Sequence, residues 1–268
     1  MKKILFFSLI LLAAGFFSCQ KHDQEAPGNI KGMGNTPGEL QVQEPYTLPE
    51  GIHLIGDITG IDNPAAIGGE IKSPFIETKS IIQCFGSGRY VRLQCTLLNT
   101  SNYPRTVFFP KGLLWQCRYG DTQHGLQAQT TWACLQPNSS RTIYLDLYCL
   151  NAGIPAPDHN STYKILGVTS SPTMWTLLNL IGWRMINYEM IYGIYSGRKG
   201  YESIPSYEEI TQRLQAIVHN LTDNGVAISA EDKAFIESIP ELAHEEIPVV
   251  DPNSKFPDYF DEFVFPGK

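Results

Sequence analysis

With 268 residues, 43% hydrophobic and 18% charged, the chain suffices for one medium domain or two small ones and does not read as disordered. Its net charge is −7, and the part after residue 18 carries 18 basic against 27 acidic groups, or −9. With no Lys/Arg cluster in view, that balance argues against DNA or RNA as a partner, because phosphate binding needs a basic face.

The N-terminus reads as an export signal. Lys2 and Lys3 precede an apolar run of 14 residues, Ile4 to Phe17, too short to span a bilayer but suited to a signal peptide. Ser18 before Cys19 is the small residue that a lipoprotein signal peptidase reads, although Phe16 and Phe17 depart from the common Leu-Ala-Gly-Cys box. The bland alternative is a buried apolar helix that happens to end in Cys. The expectation is a signal peptide at 1–18 and a lipidated Cys19. The stretch Gln20-Lys21-His22-Asp23-Gln24-Glu25 resembles the charged, acid-containing segment of surface-exposed lipoproteins of the Bacteroidetes type. The resemblance covers about the first 25 residues. It implies an outer-membrane protein on the cell surface, held by several acyl chains such as palmitate, each buried CH₂ contributing about 0.8 kcal/mol. The membrane would then be a partner through Cys19.

Residues 19–50 carry repeated Gly and Pro (Pro27, Gly28, Gly32, Gly34, Pro37, Gly38, Pro45, Pro49) and read as a flexible tether. A coil of this kind would hold the folded part roughly 30 Å from the anchor. Residues 51–168 read as strands. In Arg89–Leu98 the residues Val91, Leu93, Cys95 and Leu97 share one face, with Arg92, Gln94 and Thr96 on the polar one. Gly86-Ser87-Gly88 suggests a hairpin turn after Ser80–Phe85. Thr106–Phe109, Leu126–Leu135 and Arg141–Leu150 are further strands. The expected fold is α+β: an antiparallel β-sandwich, Ig-like in the loose sense, followed by a small helical segment.

From 169 to 244 the period becomes helical. Ser171-Pro172 opens a nearly all-apolar run through Ile191, which predicts a buried helix. Ser206-Tyr207-Glu208-Glu209 is a capping box for a second helix reaching about Leu221, with Gly225 just beyond it, and Ser229 opens a third. Residues 245–268 form an acidic, aromatic tail.

Five cysteines follow Cys19: Cys84, Cys95, Cys117, Cys134 and Cys149. They read either as small core residues or as one inter-sheet disulfide, with Cys95 and Cys149 the first pair to test. That pair brackets Trp115 and Trp132, as in the immunoglobulin Cys…Trp…Cys pattern, but Leu147 stands where a tyrosine corner would place Tyr, so the sandwich is expected without that family.

No metal site or cofactor is expected, since CxxC and HExxH are both missing. Cys117, Asp121 and His124 lie close in sequence but read as a solvated loop, and Asp57 and Asp62 as parts of a turn. Asp158-His159 is half of an acid–base pair with no partner to name, and no GxSxG elbow occurs. Tyr90, Tyr119, Tyr144 and Tyr148 fall on or near polar strand faces, where they would stack on sugars or anchor an interface; filling of the sandwich is the plainer reading of each. The expectation is a non-catalytic surface module that binds glycan or protein. The alternatives are a structural or assembly subunit, docking through the apolar helix and the tail, and a secreted hydrolase.

Overall fold

The computed structural model describes residues 25–62, 84–194 and 204–243. The expected signal peptide, Cys19 and the 245–268 tail lie outside the described residues. The strands are β1 (Val42–Pro45), β2 (Ile52–Gly60), β3 (Cys84–Gly86), β4 (Val91–Asn99), β5 (Arg105–Phe109), β6 (Leu113–Cys117), β7 (Gly125–Leu126), β8 (Thr131–Leu135), β9 (Ser139–Cys149) and β10 (Thr162–Thr169). The helices are α1 (Pro172–Ile181), α2 (Tyr207–His219) and α3 (Ala230–Ser238).

Strands β10, β2, β4, β9, β7 and β6 are neighbours in that order, all antiparallel, and β6 pairs back onto β10. The sheet therefore closes into a six-stranded antiparallel barrel, and the expected β-sandwich does not form. The cause lies in β10. One edge takes β6, with Tyr163 opposite Cys117 and Val168 opposite Leu113, while the other takes β2 at its start and β1 at its end. The free edge that a sandwich would leave is consumed. β3 adds parallel to β9, and β5 and β8 form a separate ribbon.

Alternate residues fill the interior. Val91, Leu93, Cys95 and Leu97 come from β4; Ile143, Leu145, Leu147 and Cys149 from β9; Leu113, Trp115 and Cys117 from β6. Val107, Phe109, Ala133 and Leu135 of the ribbon join them. A barrel this narrow is a packed core. Its outer face is covered in part by the helices: Leu114, Leu126, Tyr148 and Val168 cluster with α1, α2 and Met185–Met190.

Several expected elements shift. Leu126–Leu135 splits into β7 and β8, because Gln127 bonds to Leu113 on one side of the break and its side chain bonds to Gln129 O on the other. Gly86-Ser87-Gly88 is not a hairpin turn, since β3 pairs with β9 rather than β4. A Cβ on Gly88 would lie 2.0 Å from Leu147 O, and one on Gly86, whose φ is +85°, 2.7 Å from Asp146 O. The two glycines let the chain lie flat on β9. Asp57 sits within β2, not in a turn. α1 starts at the Ser171 cap, whose Oγ accepts from Met174 N at 3.0 Å, and ends at Ile181 with Gly182, φ +53°, as its C-cap, ten residues short of the expected helix end near Ile191. Its Met174, Trp175, Leu177, Leu178 and Ile181 are buried within this chain, each contributing about 1.5–3 kcal/mol. Ser206 and Ser229 cap α2 and α3, Ser229 through a full capping box with Asp232.

From Glu25 onward the expected tether is a docked strap. Glu25 accepts from Ser171 Oγ and from Thr173 N at the start of α1. Gly28 N donates to Leu221 O and Gly34 N to Leu150 O, both at 2.7 Å. Ile30, Met33 and Leu40 are buried. These apolar anchors turn a Gly/Pro-rich stretch from coil into a series of seated turns.

Of the two readings of the cysteines, the Cys95–Cys149 disulfide is not formed; all five described cysteines are free, with Cys134 exposed and the rest buried as small core residues. Cys95 lies opposite Ile143, and Cys149 is six residues further along β9, or about 20 Å at about 3.3 Å per residue. A disulfide needs Cα atoms within about 7 Å. Burial pushes the Cys95 and Cys149 thiols up to about 12.

Arg92, on the polar face of β4 by its alternation, is 6% exposed. Its Nε and Nη2 donate to Asp146 Oδ1 and Oδ2 at 2.8 and 3.2 Å, and Tyr207 OH donates to Asp146 Oδ2 at 2.9 Å. This triad joins β4 and β9 to α2. Arg92→Leu, which strands the Asp146 charge, is expected to destabilise the fold by about 3–5 kcal/mol in chemical denaturation. Under native conditions a maleimide is expected to modify Cys134 and spare Cys84, Cys95, Cys117 and Cys149, as read by peptide mass spectrometry.

Candidate functional site: a cleft beside helix α2

With the barrel interior filled, open volume lies outside it. A cleft of about 540 Å³ is lined by three stretches of chain and by Gln123, and this size falls within the range of about 300–1,000 Å³ seen for ligand sites. α2 contributes Gln212, Gln215, Ala216 and His219, one stripe at i, i+3, i+4 and i+7. The loop after β9 contributes the apolar Ala152, Ile154, Pro155 and Ala156. The turn before β4 contributes Arg89 and Tyr90.

Each wall is fixed by buried bonds. Tyr207 ties the first turn of α2 to Asp146. One turn from its end, Gln215 Oε1 accepts from Cys149 N and its Nε2 donates to Cys149 O, both at 2.9 Å, so the amide pairs with β9 as a strand would. Gln123 holds the loop: its backbone N donates to Pro155 O at 3.0 Å and its Nε2 to Ile154 O at 2.8 Å.

The polar inventory is specific. The Tyr90 ring stacks on the His219 imidazole, centroids 6.5 Å apart at 15°. The Arg89 guanidinium lies 5.9 Å from the Tyr90 centroid and donates to Glu208 at 3.3 Å. Gln123 Oε1 and His219 Nε2 are buried without a hydrogen-bond partner among the described residues. Burial holds His219 below the usual imidazole value, with Asp223 opposing. It is therefore neutral at pH 7, and Arg89 is the charged residue among the described residues of the lining. Such a surface offers an aromatic face, planar amides and a cation to a ligand with both apolar and polar sides.

Of the four tyrosines expected at a binding surface, only Tyr90 lines this cleft. Tyr119 is 79% exposed in the β6–β7 loop. Tyr144 is half-buried on β9, in register with Gln94 and Cys84. Tyr148 is fully buried, its OH 2.6 Å from Ser87 Oγ, and burial raises its hydroxyl pKa. The four do not share one surface.

Cys117, Asp121 and His124 do converge, as a self-contained turn. Cys117 Sγ donates to Asp121 Oδ1 at 3.1 Å, and its backbone N to His124 Nδ1 at 3.2 Å. Among the described residues no three His, Cys, Asp or Glu groups are placed to hold a metal ion. The partner of His159 is Asp62, at 3.3 Å, both well exposed, and an exposed pair of this kind contributes little. Asp158 instead caps its own loop through Ser161 and Asn160, and these bonds hold its carboxyl below the ordinary value.

A second buried carboxyl lies where the helical part meets the barrel. Glu189 Oε2 accepts from Gly86 N at 2.8 Å; Oε1 accepts from Thr131 Oγ1 at 2.6 Å and from Asn187 Nδ2 at 3.0 Å. Burial outweighs these donors and raises its pKa from 4.5 to about 7. The folded chain thus holds this proton more tightly than the unfolded one. The resulting stability, about 3 kcal/mol at about 1.4 kcal/mol per pH unit, is complete below about pH 4.5 and lost as pH rises through about 7. His124 and His219, both lowered by burial, act with the opposite sign in the same window. The readout is therefore a difference: between pH 5 and 8, wild type is expected to lose about 3 kcal/mol relative to Glu189→Gln in urea melts.

No protein-family model, no curated protein and no solved structure matches this chain.

Proposed function

We propose that this chain is a non-catalytic binding module of the bacterial outer membrane, anchored through Cys19, whose cleft beside α2 takes a saccharide. The observation that carries the reading is the pairing of chemistries in one cleft: Tyr90 stacked on His219, polar Gln123 and Gln212, and the apolar run Ala152–Ala156. A sugar ring is amphipathic in the same way. Its C–H face packs on an aromatic ring and its hydroxyl edge exchanges hydrogen bonds with planar amides. Among the described residues that line the cleft there is no carboxylate.

The anchor reading is supported by the N-terminal sequence: a positive start, a short apolar run, and Ser18 before Cys19. Among the described residues no helix is long and apolar enough to cross a membrane.

Two measurements test the proposal. On an oligosaccharide panel, Tyr90→Ala is expected to weaken binding about tenfold, worth about 1.4 kcal/mol, with unchanged circular dichroism; equal affinities for wild type and variant would sink the cleft assignment. Cys19→Ala is expected to move the protein out of the membrane fraction, and an unmodified Cys19 in intact-mass spectra would refute the anchor.

A further inference from the structure

We infer that the strap regulates the cleft: its seat between the Leu150–Ala152 loop and the end of α2 sets the spacing of the two walls, so that strap docking and cleft occupancy are coupled. The inference rests on the cleft reading above and adds a second region that controls it.

The strap reaches both walls at Gly34. On one side it pairs with the root of the loop: Gly34 N donates to Leu150 O at 2.7 Å, and Asn151 Nδ2 donates to Gly34 O at 3.1 Å. Asn151 is 4% exposed, and its Oδ1 accepts from His124 N at 3.4 Å, so the loop root is itself held in place. On the other side Gly34 lies against the π-helical turn Asn220–Asn224 that follows α2. A Cβ there would stand 2.1 Å from Thr222 O and 3.1 Å from Asp223 Cα. With φ at +58° as well, the position requires glycine on both counts. Gly28 makes a second contact with the same turn. Its N donates to Leu221 O at 2.7 Å, and a Cβ on it would stand 2.7 Å from Gly225 Cα.

The walls of the cleft begin beside these contacts. Ala152, which follows Asn151, lines the cleft, and so does His219, the residue before the turn. The walls also meet directly: Ala152 N donates to Asp223 Oδ1 at 3.2 Å, and Asp223 Oδ2 lies 2.6 Å from the Oγ1 of buried Thr222. Gly34 thus closes a ring made of Leu150, Asn151, Ala152, Asp223 and Thr222. The loop is separately tied by Gln123, and α2 by Gln215 on Cys149. Lifting the strap therefore changes the spacing of the walls without dismantling either. A ligand that touches both walls has different affinity for the seated and lifted states, which is the condition for coupling, and such coupling acts equally in both directions.

The test uses the full chain in non-ionic detergent, read by hydrogen-exchange mass spectrometry. Without ligand, Gly34→Ala is expected to speed exchange about tenfold or more in the strap (residues 26–36) and in both walls (residues 150–156 and 216–224), with β4 and β9 unchanged. Thr36→Val, which removes the Oγ1 bond to Gly28 O within the strap, is expected to give the same pattern at about threefold, and it decides the matter where Gly34→Ala fails to fold. Faster exchange in the strap with both walls at the wild-type rate would overturn the inference. With an oligosaccharide that wild type binds, Gly34→Ala is expected to weaken binding about tenfold, and the ligand is expected to slow exchange of the strap amides by a similar factor. Equal affinities, or strap exchange indifferent to ligand, would also overturn the inference and leave the saccharide cleft standing. Binding of no oligosaccharide by wild type would overturn the saccharide reading, with the coupling of strap and walls still decided by exchange without ligand.

Discussion

Closure of the sheet by β10 against β6 is the constraint on which the other features rest. Once Tyr163–Val168 pairs with Leu113–Cys117, the barrel interior has a fixed small volume and must be filled by side chains. Function is then displaced to the outside. The outer surface is in turn divided: Leu114, Leu126 and Tyr148 lie under the helices, and the remaining polar surface is left to the cleft and the loops.

The helices are tied to the barrel by polar bonds as well as apolar contact. Arg92, Asp146 and Tyr207 make one attachment, Gln215 on the Cys149 backbone another, and Glu189 with Gly86 and Thr131 a third. Buried bonds of this kind are directional, so they fix how α2 is rotated as well as where it lies. That rotation presents Gln212, Ala216 and His219 to the cleft while Ile210, Leu214, Ile217 and Val218 enter the core. The shape of the cleft and the stability of the fold therefore share the same side chains. Changes at Asp146 act on the cleft without touching it, whereas Gln215 both lines it and bonds to Cys149.

Local pattern made β4, β5 and β9 legible in the sequence, together with the Ser171, Ser206 and Ser229 caps. Each depends on neighbours within a few residues. Closure was not legible, because alternation in β4 or β9 is equally compatible with a sandwich and a barrel, and only the β6–β10 pairing separates the two. β6 gave little signal of its own: Leu113, Leu114 and Trp115 are apolar on both faces. The burial of Arg92 on the polar face of β4 was not legible, because nothing nearby in sequence announces Tyr207 on the same Asp146 carboxylate. The strap was misread for a similar reason. Its Gly and Pro residues dominate the local pattern, while Ile30, Met33 and Leu40 find their partners far along the chain. At the cleft, the sequence pattern singles out Tyr90 and gives no local sign of His219, which lies in the last turn of a capped helix. The signal that would have found the site was the stripe Gln212, Gln215, His219 on a well-capped helix.

The strap has a mechanical consequence. If Cys19 is the point of attachment, five residues separate it from Glu25, six Cα steps that span at most about 20 Å. Any pull on the anchor is then delivered at the first turn of α1 and passes along the strap, through Gly28 on Leu221 and Gly34 on Leu150, before it reaches the β1–β10 ladder. Leu221 follows α2, and Leu150 opens the loop that walls the cleft. Asn151 also holds Gly34 O, and Asp223 holds Ala152 N. The strap is thus seated on both jaws of the site, so shear at the membrane is transmitted as strain on the cleft's width, and grip on a ligand and tension on the anchor become mechanically linked.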